Sequence, residues 1–433
     1  MFCLASSYAS LAHGVPIAKP VACAQQQTGG LAAGPLYIRE AKTDITPNEL
    51  LPLGGYTARH GEDMEPGGEP LFARCILFSR GSWNEALVSV EMLTVPDSLA
   101  EEVRKRIRSD VRLFLTATHT HSAPDSQLLN SRMTFKIPGV ASFRHRWLAW
   151  YADKIASTVT AALAKPRVAC ESLQVQEFTA DLNRGRRPGA DPEQIGTGLA
   201  MIRNGFLNRL FLSYPAHPVF YGSDHNQTSG DWPGKLSHDF EPAYEPWLLL
   251  VLTGAIGDVS PKAPGNSDAE RIDNFCASLT KAWESTRRIH IAWRDSQPTG
   301  SVDQPIVMDP PKPSPAFIHD YKAPEALAWT MVQKFAPDHA SITALRFGDF
   351  AIVGVPGEPT SHLGRRIRAA GLAMGFRSVL VVSHVNGWIG YILDPVDYSH
   401  GGYEASLSFN GPMEGEHVVE AAAEALRKLR ALR

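Results

Sequence analysis

The 433-residue chain carries 42 Lys and Arg against 45 Asp and Glu, a formal net charge of −3, and is 44% hydrophobic and 20% charged. That balance gives no general pull toward nucleic acid or an anionic membrane, and no apolar run is long enough to span a bilayer as a helix. Five cysteines without a CxxC spacing argue against thiolate zinc sites and thioredoxin-like chemistry.

The first 30 residues are rich in Ala and Ser, contain no acidic residue and include Val21-Ala22-Cys23-Ala24 before a glutamine run. Small residues at −3 and −1 of a cut after Ala24 predict an export leader over residues 1–28, and hence a secreted or periplasmic protein. A disordered N-terminus on a cytoplasmic protein is the alternative. From Ile38 the pattern predicts an edge strand, followed by a Gly loop, Leu53-Gly54-Gly55-Tyr56, able to approach a ligand closely. Strands at Cys75–Phe78 and Ala86–Val90, a helix capped by Ser98 with Glu101 completing the box, and a strand at Val111–Leu115 predict a β-α-β unit. Its last strand runs into TATHTHSAPDS, Thr116 to Ser126. In an extended chain His119 and His121, at i and i+2, face one cleft. Open α/β sheets bind ligands at such strand ends, and neutral imidazole is the commonest protein ligand for metals. Two loop histidines bonded to backbone are the plain alternative.

Helices are predicted at Trp147–Leu163, Ala269–Ser285, Thr360–Ala373 and Glu416–Leu432. Strands are predicted at Arg209–Tyr214, Leu248–Leu252 and Ser378–Val382, with a hairpin of Ser341–Phe347 and Phe350–Val355 turning at Gly348-Asp349. Residues 295–316, rich in Pro, Asp and Ser, read as a long loop or lid. With no internal repeat and no clean linker, the expectation is one large α/β domain over residues 29–433, with mixed multi-stranded sheets and flanking helices. Four strands end in polar residues: His119 and His121, His217, Ser260, and Glu358. Singly, Glu358 reads as a helix cap and Ser260 as a helix start. Their joint arrival at strand ends points to a catalytic site.

The order of motifs resembles the neutral, non-lysosomal ceramidase family. The matching pieces are THTHSAP (118–124), Asn183-Arg184, His217, GDVSP (257–261), PGEPTSHLGRRIR (356–368) and NGWIGYILDPVDYSHGGYEAS (386–406). The resemblance covers Ile45 to Ser406. It implies a Zn2+ ion held by His119, His217, Glu358 and Tyr391, with His121 and Tyr403 stabilising the oxyanion. It further implies that Ser260 is a nucleophile or orients substrate, and that Arg184 lies on the substrate side. The reaction implied is hydrolysis of an N-acyl amide bond by metal-activated water. Ser122-Ala123-Pro124, Gly185-Arg186 and Lys262 depart from the family pattern, and the resemblance stops short of the β-sandwich that follows the catalytic domain in typical ceramidases. The expected substrate is therefore a small or lipid-like N-acyl compound more polar than ceramide, bound near Arg184. Arg186 and Arg187 read as a solvated basic turn.

Alternatives to this reading are an esterase, a serine-nucleophile acyl hydrolase acting through Ser260, and a binding protein with a vestigial metal site. Metallo-β-lactamases need HxHxDH, but Ala123 and Pro124 occupy the last two positions. Amidohydrolase barrels place HxH on the first strand, whereas here it follows several.

Overall fold

The computed structural model describes residues 34–241, 248–286 and 289–432; the expected leader lies outside the described residues. The chain folds as a single large α/β domain in which three sheets turn their inner faces toward one shared core. In the first sheet β1 (Leu36–Asp44), β2 (Phe72–Arg80), β3 (Trp83–Val90), β4 (Arg112–Ala117) and β5 (Val168–Cys170) lie in the order β4-β3-β2-β1-β5. The second comprises β6 (Ser172–Thr179), β8 (Ile195–Arg203), β9 (Phe206–Tyr214), β10 (Leu250–Thr253) and β12 (Ile289–Arg294), ordered β10-β9-β8-β6-β12. Two short pairs stand beside them, β7 (Asn183–Gly185) with β11 (Val259–Pro261), and β16 (Glu358–Pro359) with β18 (Tyr391–Ile392). The third sheet is β13 (Thr299–Pro305), β14 (Ser341–Phe347), β15 (Phe350–Gly354) and β17 (Ser378–Val382), in that order.

Strands β10, β15 and β17 read as near-continuous apolar runs because both faces of the sheets are covered. Ile76, Phe78, Leu87 and Phe114 enter the shared core together with Leu199, Phe211, Leu250, Leu345, Ile352 and Val382. Their chain neighbours Cys75, Leu77, Val88 and Leu115 point the opposite way, against helices α1 (Asp97–Arg106) and α2 (His145–Ala164). In the same manner α3 (Asp231–Phe240) and α4 (Asp268–Ser285) cover the second sheet. The short helices α5 (Pro315–Tyr321) and α6 (Glu325–Phe335) precede the third sheet's hairpin. That sheet is covered by α7 (Ser361–Ala373) and α10 (Glu414–Ala431), with the small helices α8 (Pro395–Ser399) and α9 (Tyr403–Ser406) between them. Each large buried side chain contributes roughly 1.5–3 kcal/mol.

Each sheet carries one parallel pair at an end: β3 with β4, β9 with β10, and β15 with β17. The carboxyl ends of the three outermost strands meet in a closed triangle of hydrogen bonds. Thr116 Oγ1 donates to Ser383 O (2.8 Å), Ser383 N to Thr253 O (3.0 Å), and Thr253 Oγ1 to Ala117 O (3.3 Å). The Asn386 amide pairs with the free edge of β4, accepting from Leu115 N (3.1 Å) and donating to Leu113 O (2.8 Å). An edge that would otherwise expose unpaired backbone is thereby closed.

Several sequence expectations are corrected. Residues 295–316 are no lid: Thr299–Pro305 is strand β13, paired with β14, and Pro305 is tolerated because it ends the strand. The remainder is tied down, with Ser314 Oγ donating to Ala405 O (2.6 Å) and Lys312 N to Phe409 O (2.7 Å). Ser98 does not cap α1; Pro96 holds that position and Ser98 Oγ donates to Leu129 O (2.7 Å). The strand from Ile38 is not an edge strand, since β5 pairs with its first residues.

Glu414, at the start of α10, is buried; one carboxyl oxygen accepts from Ser408 Oγ (3.1 Å) and the other has no partner. Burial pushes its pKa up from 4.5 to about 8. A carboxyl raised in the fold is stabilising while protonated, so its contribution is fully present below about pH 4.5 and is lost as pH rises through about 8. Glu414→Gln is expected to flatten the decline in stability between pH 5 and 8 and to raise stability at pH 8 by a few kcal/mol. Denaturant titrations at both pH values check this; a parallel pH profile in the variant would remove Glu414 as the cause.

Candidate metal centre

The loops leaving the strand ends bring four polar side chains together above the hydrogen-bonded triangle. His119 follows β4, and its amide donates to Met92 O (2.9 Å) of the loop after β3. Its φ is 66°, a left-handed turn rather than the extended chain that the i, i+2 argument assumes. The two imidazoles nevertheless converge, with Nε2 atoms 3.4 Å apart and rings edge to face. His217 lies three residues beyond β9, fully buried. Glu358 begins β16 directly opposite Tyr391 of β18. Gly257 permits this arrangement, because a Cβ there would stand 2.4 Å from Glu358 O.

The donors are aimed by backbone partners. His119 Nδ1 bonds Leu93 O (2.7 Å) and His217 Nδ1 bonds Val259 O (3.0 Å), which makes each Nδ1 the proton-bearing nitrogen and turns a bare Nε2 toward the centre. Glu358 Oε1 accepts from Trp388 Nε1 (2.9 Å), leaving Oε2 3.4 Å from both Nε2 atoms. His217 Nε2 and Glu358 Oε2 are buried without a hydrogen bond. Burial holds the imidazoles of His121 and His217 uncharged, the latter lowered to about 3. Burial alone would raise the Glu358 carboxyl, but the surrounding histidines, His119 foremost, hold it well below the usual range. Neutral imidazoles and an ionised carboxylate are the protonation states that metal ligation requires. Metal–ligand bonds of about 2.0–2.1 Å at tetrahedral angles place donor atoms about 3.3–3.4 Å apart. The His119, His217 and Glu358 donors therefore fit a divalent cation.

Tyr391 is buried beside them. Burial and the neighbouring Glu358 push its hydroxyl well above the ordinary phenol range, while Arg186 acts in the opposite direction. Arg186 Nη2 donates to Gly257 O (2.6 Å), lies 3.5 Å from Tyr391 Oη and forms an ion pair with Glu404 (3.2 Å). Arg187 pairs with Glu404 (3.2 Å) and donates to Asp397 O (2.7 Å). The basic turn is thus not solvated: acidic and carbonyl groups of residues 397–404 fold over it. Tyr403 packs its ring 5.7 Å from that of Tyr391 and remains half exposed. Arg184 is exposed, opposite Ser260 in the β7–β11 pair. Among the described residues no histidine or carboxylate hydrogen-bonds to Ser260.

His121 is held from outside by the Gly loop. Tyr56 packs on its ring (4.8 Å), Arg59 Nη1 donates to its carbonyl (2.6 Å), and a Cβ at Gly55 would stand 2.2 Å from its Nδ1. Geometry groups His121 with His119 and His217 as possible ligands, and a second group unites His119 and Glu358 with His384. His384 carried no signal in sequence beyond its place after β17; the structure buries it completely against His119.

Trp388→Phe is expected to weaken metal binding about 10–100-fold while leaving the fold intact, because the lost hydrogen bond orients Glu358. Chelator competition measures this. Unchanged affinity would show that the carboxylate needs no such support.

These features describe an α/β domain with a candidate divalent-metal centre at converging strand ends. No family model matches the chain. It is 25% identical over 169 residues to a neutral ceramidase of Mycobacterium tuberculosis, a match covering 38% of this chain and 24% of that protein. The chain thus matches only about a quarter of the curated relative's length. Its fold is similar to that of the neutral ceramidase of Pseudomonas aeruginosa, with TM-score 0.77, 17% identity, and coverage of 92% of this chain and 74% of the other. A structure described as ceramidase complexed with C2 is similar at TM-score 0.76 and 16% identity, covering 92% of this chain and 75% of the other.

Proposed function

We propose that the protein is a zinc-dependent hydrolase of N-acyl amide bonds, ceramidase-like in its chemistry. The observation that carries this is the convergence of the buried His119 Nε2 and His217 Nε2 on Glu358 Oε2, each 3.4 Å from it. Borderline nitrogen and oxygen donors favour zinc, with Tyr391 as the fourth protein ligand and water completing an open catalytic site. A zinc ion held there supplies Lewis acidity and a water that ionises near neutral pH.

The chain's own groups supply the rest. His121, uncharged and beside His119, and Tyr403 at the mouth are placed to donate to an oxygen that gains charge as the acyl carbon is attacked. Opposite partners in an antiparallel pair leave the same face, so Ser260 and Arg184 are offered together to the substrate. Ser260 orients rather than attacks, as it has no basic partner among the described residues. Arg184 is free to bind a carboxylate or other polar head, which favours N-acyl amines and N-acyl amino acids over long-chain ceramide.

The test is a screen of N-acyl compounds, including a ceramide, with native, chelator-treated and zinc-restored protein. Chelator-sensitive amide hydrolysis restored by zinc is expected, with a loss confined to polar substrates in Arg184→Ala. Stoichiometric metal without turnover of any acyl compound would favour the binding-protein reading.

A further inference from the structure

The centre contains one group that a single ion held by His119, His217, Glu358 and Tyr391 does not use. His384 is fully buried, in a left-handed turn (φ 58°) at the carboxyl end of β17, and neither ring nitrogen has a hydrogen-bond partner. Buried imidazole nitrogens without partners are rare, because each forfeits its hydration without compensation.

The His384 ring stacks on that of His119, with centroids 4.2 Å apart and planes 17° from parallel. An imidazole ligates in the plane of its ring, so two stacked, nearly parallel rings cannot both aim at one ion. They can serve two ions separated by about the stacking distance, which falls near the roughly 3.5–4 Å spacing of two-metal sites. His384, Glu358 and His119 nevertheless bring ligand atoms within 4.8 Å of one another. A carboxylate has lone pairs enough to serve two cations and the Trp388 indole at once.

The structure assigns to His384 and the Glu358 carboxylate a second divalent-cation position, adjacent to the ion held by His119 and His217 and sharing Glu358 with it. The assignment rests on the proposed metal centre and deepens it. One histidine and a shared carboxylate are a sparse donor set, so the second ion binds more weakly than the first and exchanges with solvent zinc. Its ligands match zinc-class cations rather than calcium or magnesium, which take oxygen ligands.

Zinc titration of the metal-free full-length protein, read by equilibrium dialysis with elemental analysis, tests this directly. Two equivalents are expected, the second at least tenfold weaker. His384→Phe, which keeps a ring against His119 and removes both nitrogens, is expected to bind one equivalent at the affinity of the first site. Loading with copper(II) adds a spectroscopic reading: spin coupling between neighbouring ions in the native protein, and an isolated-ion signal in His384→Phe. One equivalent in the native protein at saturation, or two in both proteins, overturns the second position and leaves the zinc-hydrolase proposal standing. No bound metal in the native protein overturns both. Should the variant fail to fold, native stoichiometry alone decides.

Discussion

Glu358→Ala is expected to abolish metal binding and hydrolysis together. The carboxylate is the hub of the centre, 3.4 Å from both His119 and His217, and held by the Trp388 indole on its other oxygen. Its removal takes away the negative charge that offsets the cation and leaves the imidazoles of His119 and His217 without the carboxylate that joins them. Loss of an outer hydrogen-bond partner costs about 10–100-fold in affinity, so loss of this ligand should exceed 100-fold. Retained stoichiometric metal, measured on protein dialysed against a weak chelator, would move the centre elsewhere. Thermal unfolding of the metal-free variant provides the control. The histidines and the Trp388 indole lose their partner, so the metal-free variant should unfold somewhat below the metal-free native protein, and a cooperative transition shows that it is folded.

His121→Ala is expected to lower kcat by about 10²–10³, the range measured for loss of one oxyanion donor, with metal content unchanged. The prediction is sharp because the geometry also allows His121 as a ligand, its Nε2 standing 3.4 Å from that of His119. If metal and activity fall together, His121 belongs to the ligand set. Tyr403→Phe should act in the same direction, more mildly, since that side chain is half exposed at the mouth.

Much of this was legible before any coordinates. Strand Ser378–Val382 has the expected bounds, and helices at 145–164, 268–285, 361–373 and 414–431 differ from expectation by a few residues at their ends. Their signals are local: apolar periodicity, caps and glycines. The convergence of His119, His217 and Glu358 in the candidate centre was legible because residue type and strand end coincide there. It was not legible where position depends on a remote segment. Arg186 and Arg187 look like solvent residues until residues 397–404 fold over them. His384 stands alone after Ser383, with no second histidine at a ligating spacing, so only the stacking on His119, 265 positions earlier, exposes it. Residues 295–316 failed for another reason: prolines and aspartates masked a strand whose pairing with β14 is set by tertiary contact.

The triangle of hydrogen bonds joining Thr116, Thr253 and Ser383 has a consequence for the order in which the molecule is assembled. Its corners lie more than a hundred residues apart along the chain, and each belongs to a different sheet. Closing such long loops costs entropy before any contact repays it, so the triangle should be among the last features to form. The candidate ligands lie on the loops that leave it, and the nascent chain therefore cannot present a finished centre until all three sheets have docked. Metal uptake would then follow the slowest folding phase rather than guide the earlier ones. Refolding in the presence of zinc should leave the rate of sheet formation unchanged while slowing unfolding of the finished protein.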